Sequence, residues 1–239
     1  MRILRWFCMA AVLAIAVSGC IKVEQKLTLE KDGSGTLHIR YGMSEQAIAQ
    51  IEAMEQMSQA MGEQDGLGMD DDTPFNFDFD EQQVQEDFAA QNLDGLDLRS
   101  VKSETLDGWR YMDLEISFKS LSALSKTDYF EDNELRLTKD AEGQYVLTQY
   151  SGDEDIVPDG DPAEQQQMMQ QMAAMFAGMR LANHIIVPTD IIETNATELD
   201  GNQASWVFDV EDDPMVLTKL ENLRMRVVFS SEGISIPEF

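Results

Sequence analysis

The chain predicts an α+β fold: an antiparallel β-sheet built from hairpins, with amphipathic helices packed on one face. Three observations carry this. Strand alternation recurs on both sides of a Gly-containing turn four times along the sequence. The strands are half polar, which suits a sheet with one covered face. Helical periodicities fall between the hairpins without a regular βαβ repeat, so strands outnumber helices.

In the first hairpin Ile21, Val23, Leu27 and Leu29 alternate with Lys22, Glu24, Lys26 and Glu30. The chain turns through Lys31-Asp32-Gly33-Ser34-Gly35 and returns with Leu37, Ile39, Tyr41 and Met43 on the apolar face. Ser44 offers a cap for a helix to about Met61, with Glu45 beside its positive end. Residues 62–80 hold Gly, Pro and an acidic-aromatic run, and read as a surface loop. A weaker helix covers Glu81 to Gln91. The second hairpin pairs Leu96–Glu104 with Trp109–Lys119 across Asp107-Gly108, its core face being Met112, Leu114, Ile116 and Phe118. The third pairs Glu134–Lys139 with Gln144–Tyr150 across Glu142-Gly143. A second acidic loop, near 151–162, leads to a helix from Ala163 to about Arg180. The fourth hairpin sets Ile185–Leu199 against Ala204, Trp206, Phe208 and Val210 across Asp200-Gly201-Asn202, with Trp206 as its core anchor. Asp213-Pro214 starts a short helix, and Met225, Val227 and Phe229 alternate with Arg224 and Arg226 in the closing strand.

Arg2 and Arg5 precede an apolar run from Trp6 to Val17, followed by small residues and a cysteine. That is the layout of a secretory signal peptide, too short to remain as a span of a hydrocarbon core about 30 Å thick. Val17-Ser18-Gly19-Cys20 resembles the lipobox of bacterial lipoproteins. The resemblance implies cleavage between Gly19 and Cys20, and diacylglyceryl and N-acyl chains on Cys20. Residues 1–19 are then the signal and 20–239 a single domain. Ile21 after the cysteine, in place of Asp, implies the outer membrane where the host has one, and otherwise the extracytoplasmic face of the cell membrane. With no C-terminal membrane segment read, anchoring rests on Cys20.

The chain has 17 Lys and Arg against 45 Asp and Glu, for a net charge of −28. The signal takes Arg2 and Arg5 and no acid, which makes the exported body more acidic still. Nucleic acid is a poor partner for such a body, because phosphate binding needs a basic footprint. Cys8 leaves with the signal and Cys20 is acylated, so disulfide, thiolate and Cys-zinc chemistry are not expected. Basic residues gather in the strands, none lying between Arg40 and Arg99, while the acidic loops serve solubility.

A cysteine followed at once by a strand with Lys31-Asp32-Gly33-Ser34-Gly35 and then a helix is one half of a wider similarity. Ile185-Ile186-Val187-Pro188, Thr194-Asn195-Ala196, Asp200-Gly201 and Ser205-Trp206-Val207-Phe208 are the other. Together they resemble the LppM domain of bacterial lipoproteins. The resemblance implies an α+β lipoprotein domain without catalytic residues and with a role in handling envelope lipids. The acidic insertion near 62–80 departs from that pattern.

Catalytic sets are not evident. The histidines, His38 and His184, both fall in strand patterns, and no Gly-x-Ser-x-Gly elbow, P-loop or dinucleotide fingerprint occurs. Asp70, Asp72, Asn76, Asp78 and Asp80 are closely spaced oxygen ligands, but Phe75 stands where a calcium loop of the EF-hand type needs glycine. No cofactor or dedicated metal site is expected. Met168, Met172, Met175 and Met179 fall on one helical stripe. Such a stripe packs on a core, lines an adaptable apolar groove, or offers soft sulfur to Cu(I). The expectation is a non-enzymatic, membrane-anchored envelope lipoprotein that recognises an apolar or amphipathic component such as lipid, those methionines being the candidate ligand contacts. The alternative is a protein–protein interaction or scaffold module with a filled core.

Overall fold

The computed structural model describes residues 21–49, 53, 79–127, 130, 134–151, 178–213, 216–220 and 223–239. Strands are β1 (Ile21–Leu29), β2 (Gly35–Ser44), β3 (Leu96–Leu106), β4 (Trp109–Phe118), β5 (Leu135–Lys139) and β6 (Tyr145–Ser151). They continue as β7 (Arg180–Ile186), β8 (Ile191–Thr194), β9 (Glu198–Asp200), β10 (Gln203–Asp209) and β11 (Leu223–Phe229). Helices are α1 (Glu81–Gln91), α2 (Leu121–Leu124) and α3 (Val216–Leu220). The architecture is α+β, as the hairpin pattern predicts, with the strands in two mostly antiparallel sheets.

The larger sheet has seven strands in the order β3-β4-β2-β1-β7-β10-β9, and the smaller has four in the order β5-β6-β11-β8. Strand alternation sends Leu27, Leu29, Leu37, Ile116 and Phe118 of the first, and Leu137, Tyr145, Leu147, Met225 and Phe229 of the second, into one shared core. Across it Gln25 Nε2 donates to Gln149 Oε1 at 3.3 Å, both side chains being buried. An amide in an apolar core needs such a partner, because an unbonded buried polar group costs about 1–3 kcal/mol.

The predicted hairpins at β1–β2, β3–β4 and β5–β6 form with antiparallel register. Asp107 and Gly108 both have positive φ, 51° and 77°, as a two-residue turn matched to strand twist requires. The fourth differs from its expectation. Instead of one strand from Ile185 to Leu199, the chain leaves the large sheet after Ile186, joins the small sheet as β8, and returns as β9. Pro188 explains the break, since it has no N–H for a ladder and restricts the residue before it. The crossing at Asn195–Thr197 is fixed to both sheets. Asn195 Oδ1 accepts from Arg226 N at 2.9 Å, its Nδ2 donates to Arg224 O, and its carbonyl accepts from Trp206 Nε1 at 3.2 Å. Trp206 is 1% exposed and shares its inward face with Ala204 and Phe208, as its alternation predicts.

One pairing is parallel, β1 with β7, from Lys22 opposite Arg180 to Thr28 opposite Ile186. It places β1 at the centre of the large sheet, between β2 and β7. Residues 45–49 are helical, and Ser44 Oγ accepts from Ala47 N at 3.2 Å in its expected capping role. Asp80 caps α1, accepting from Gln82 N and Gln83 N at 2.8 and 3.2 Å. Just before it, Phe79 makes an edge contact with Tyr41, ring centroids 5.6 Å apart, so the acidic-aromatic segment ends packed against the core. The helix α2, which the periodicity does not suggest, buries Leu121 and Leu124 in a single turn capped by Ser120.

Candidate functional site

Chemistry-bearing side chains gather on the face of the large sheet turned away from the shared core. Register sets Glu24, Arg40, Asp113 and Lys102 in one row across β1, β2, β4 and β3, with alternating sign. Arg40 Nη1 meets Asp113 Oδ2 at 2.7 Å and its Nη2 bonds Glu104; His38 Nε2 lies 3.3 Å from Asp113 Oδ1. Burial opposes the Arg40 charge, but the bonds to Glu104 and Asp113 outweigh it and hold its pKa above the ordinary guanidinium value.

The next row, nearer the start of β1, is Lys22, Gly42 and Tyr111. Gly42 is buried, and a Cβ there would come within 2.5 Å of Tyr111 Cε1, so the missing side chain is what lets Tyr111 lie across the sheet. Tyr111 stacks with Trp109, centroids 6.1 Å apart and planes 20° apart. Lys22 Nζ sits 4.0 Å from the Trp109 ring and Arg40 Cζ 4.3 Å from the Tyr111 ring. The result is an aromatic pair clamped between two cations.

Further along the same face, His184 Nδ1 lies 2.8 Å from Ser205 Oγ, which also accepts from Gln203 Nε2 at 3.1 Å. His184 Nε2 is 3.8 Å from Glu24 Oε1. Burial lowers the pKa of His184, against the pull of Glu24 and with the help of Lys26 and Arg180. Serine, histidine and carboxylate are thus aligned, but Ser205 is 4% exposed in a strand paired on both sides by β7 and β9. Backbone N–H groups in such a strand belong to the ladders. The serine therefore has a base beside it, while the N–H groups of its own strand are engaged in the ladders.

Of the residues singled out in the sequence, Gly19, Cys20, Met168, Met172 and Met175 lie outside the described residues. Met179 is 4% exposed in the core, and its carbonyl accepts from Val210 N at 3.0 Å. Among the described residues no group of three or more His, Cys, Asp or Glu could hold a metal ion, and no helix is long and apolar enough to cross a membrane. The Trp109–Tyr111 pair is a feature that the sequence reading passed over. Its signal was present: the alternation that puts Met112 and Ile116 inward puts Trp109 and Tyr111 on the polar face, where two aromatics in succession are unusual.

No family model matches the chain, and no curated protein does. Among solved structures it is similar to the folded domain of LppM from Mycobacterium tuberculosis, determined by NMR. The TM-score is 0.45 at 12% identity, covering 89% of this chain and 90% of that one. At that level the likeness is a distant one of fold and extends to nothing finer.

Proposed function

We propose that the chain is a non-enzymatic lipoprotein of the bacterial cell envelope, tethered by acylated Cys20, whose domain recognises an apolar or amphipathic component such as lipid. The observation that carries the tether is the position of Ile21. It is the first residue of the central strand and is already buried at 8% exposure, so a single peptide bond separates the proposed lipidation site from the core. Several acyl chains at about 0.8 kcal/mol per buried methylene hold such a domain stably, and the absence of a linker holds it close to the bilayer. We assign ligand contact to Met168, Met172, Met175 and Met179, the last of which is packed in the core.

The test has two parts. Cys20→Ser should abolish labelling by a fatty-acid probe and release the protein from membranes; equal membrane retention would refute the tether. Native mass spectrometry of the 21–239 domain from a bacterial host should then show retained lipid. A second reading, a protein-interaction module, is favoured by Ile192 and Leu199, each 57% exposed, on β8 and β9 at the sheet edges. A domain that never carries lipid would favour it.

A further inference from the structure

Where β1 begins, the large sheet ends in a corner whose composition differs from the rest of this acidic chain. We infer that this corner is the bilayer-facing rim of the domain, with Trp109, Leu106 and Lys22 seated in the headgroup layer of a zwitterionic membrane. The inference rests on the tether proposed above and adds to it an orientation and a contact surface.

Geometry limits the choice to one end of the sheet. From Ile21 to Leu29 the strand β1 takes eight steps, about 26 Å at ~3.3 Å each. Interfacial burial reaches about 5–10 Å, so a domain standing on its tether touches the bilayer at the Ile21 end and not at the turn of residues 30–34. Register collects specific partners at that end. Ile21 is opposite Met43, Met43 opposite Arg110, and Ser44, Trp109 and Leu106 lie one position further out. Trp109 therefore projects past the first residue of the tethered strand.

Its chemistry suits the place. Leu106 is a large apolar side chain left 53% exposed, beside a half-buried tryptophan capped by a lysine at 4.0 Å. Indole rings favour the headgroup level because one edge is apolar and the other donates a hydrogen bond, and a lysine there reaches phosphate while its stem stays on the ring. Charge decides between kinds of membrane. Among the described residues, Lys22 and Arg110 stand against Glu45, Glu104 and Asp107 at this corner, close to balance, whereas the chain as a whole carries −28. A body of that charge is repelled by anionic lipid, and a corner of low local charge with a tryptophan fits zwitterionic headgroups. The exposed acids Glu211 and Asp212 follow β10, three strand spacings from β2, or about 14 Å, so contact falls on the β4-β2-β1 side.

The test uses the full lipidated protein in phosphatidylcholine vesicles whose lipids are brominated near the top of the acyl chain. With Trp6 removed in the signal, the emission comes from Trp109 and the core residue Trp206, which is 1% exposed. Brominated lipid should remove the Trp109 share of the emission, and Trp109→Phe should show no such loss. Lys31→Trp in the Trp109→Phe background, at the opposite end, should also be unquenched. Should the Phe variant fold poorly, Asp107→Cys and Lys31→Cys carrying an environment-sensitive fluorophore repeat the comparison, with a blue shift on vesicles expected at 107 alone. Protein that floats with the vesicles yet shows no quenching of Trp109, or equal quenching at both ends, would overturn the orientation and leave the tether standing. Protein that does not float would refute the tether, and the rim with it.

Discussion

Gly42→Ala isolates the steric arrangement on which the aromatic pair depends. The backbone at Gly42 is not in the left-handed region, so alanine meets no conformational barrier there. In an open strand site the change would stabilise by about 0.4–1 kcal/mol through the unfolded chain. Here the new Cβ would stand 2.5 Å from Tyr111 Cε1, well inside van der Waals contact, and 3.3 Å from its Cγ. Tyr111 must lift. Overpacking of this kind costs about 1–3 kcal/mol. Lifting also forfeits the stack with Trp109, worth about 0.5–1.5 kcal/mol, and the Arg40 contact, worth about 0.5–1 at an exposed site. These losses overlap, because a ring that moves relieves the clash by giving up its contacts. A net loss of about 1–2 kcal/mol is expected, measured as a lower urea midpoint with unchanged slope. The decisive measurement is the double-mutant cycle with Tyr111→Ala. With the ring gone, Gly42→Ala should become neutral or stabilising, leaving a coupling of at least ~1 kcal/mol between the two sites. If Gly42→Ala stabilises the parent protein, or if the two changes are additive, the glycine is not holding space for the ring.

Trp206→Ala should cost about 3–5 kcal/mol in chemical unfolding, since it empties a 1% exposed site and leaves the Asn195 carbonyl without its indole donor; a loss below about 1 kcal/mol would contradict its role as the anchor of β10. His184 makes stability depend on pH with a definite sign. Burial pushes its folded pKa below the ordinary imidazole value of about 6.5, so well above that pH the ring is neutral in both states and has no effect. As pH falls below 6.5 the unfolded chain takes the proton first, and stability declines until the folded ring is protonated too. His184→Asn, whose amide can keep the Ser205 contact, should remove this part of the decline; parallel curves for the two proteins below pH 6.5 would refute it.

Local signals sufficed where the structure depends on neighbours in sequence. The Asp107-Gly108 turn, the inward residues of β4, the Ser44 cap and the extent of α1 all follow from alternation, capping chemistry and turn preference, which act over a few residues. They failed at the stretch Ile185–Leu199. There the apolar pattern is compatible with one long strand, and only Pro188 hints at the break that sends β8 to the other sheet. The Trp109–Tyr111 pair shows a second limit. Alternation assigns both rings to the polar face, but the space for Tyr111 comes from Gly42 on a neighbouring strand, and the cations come from β1 and β2.

By itself the sequence determined the α+β class, the strands at three of the hairpins, the Ser44 cap and the acidic character, because these arise from side-chain period, backbone preference and charge. Tertiary structure decided the division into two sheets, the parallel pairing of β1 with β7, the Gln25–Gln149 bond across the core, and the corner where Lys22 meets Trp109. Each of these joins residues tens to more than a hundred positions apart. Their pairing is selected by how whole strands bury apolar area together and satisfy their polar groups, a property of the assembled core that no short window of residues contains.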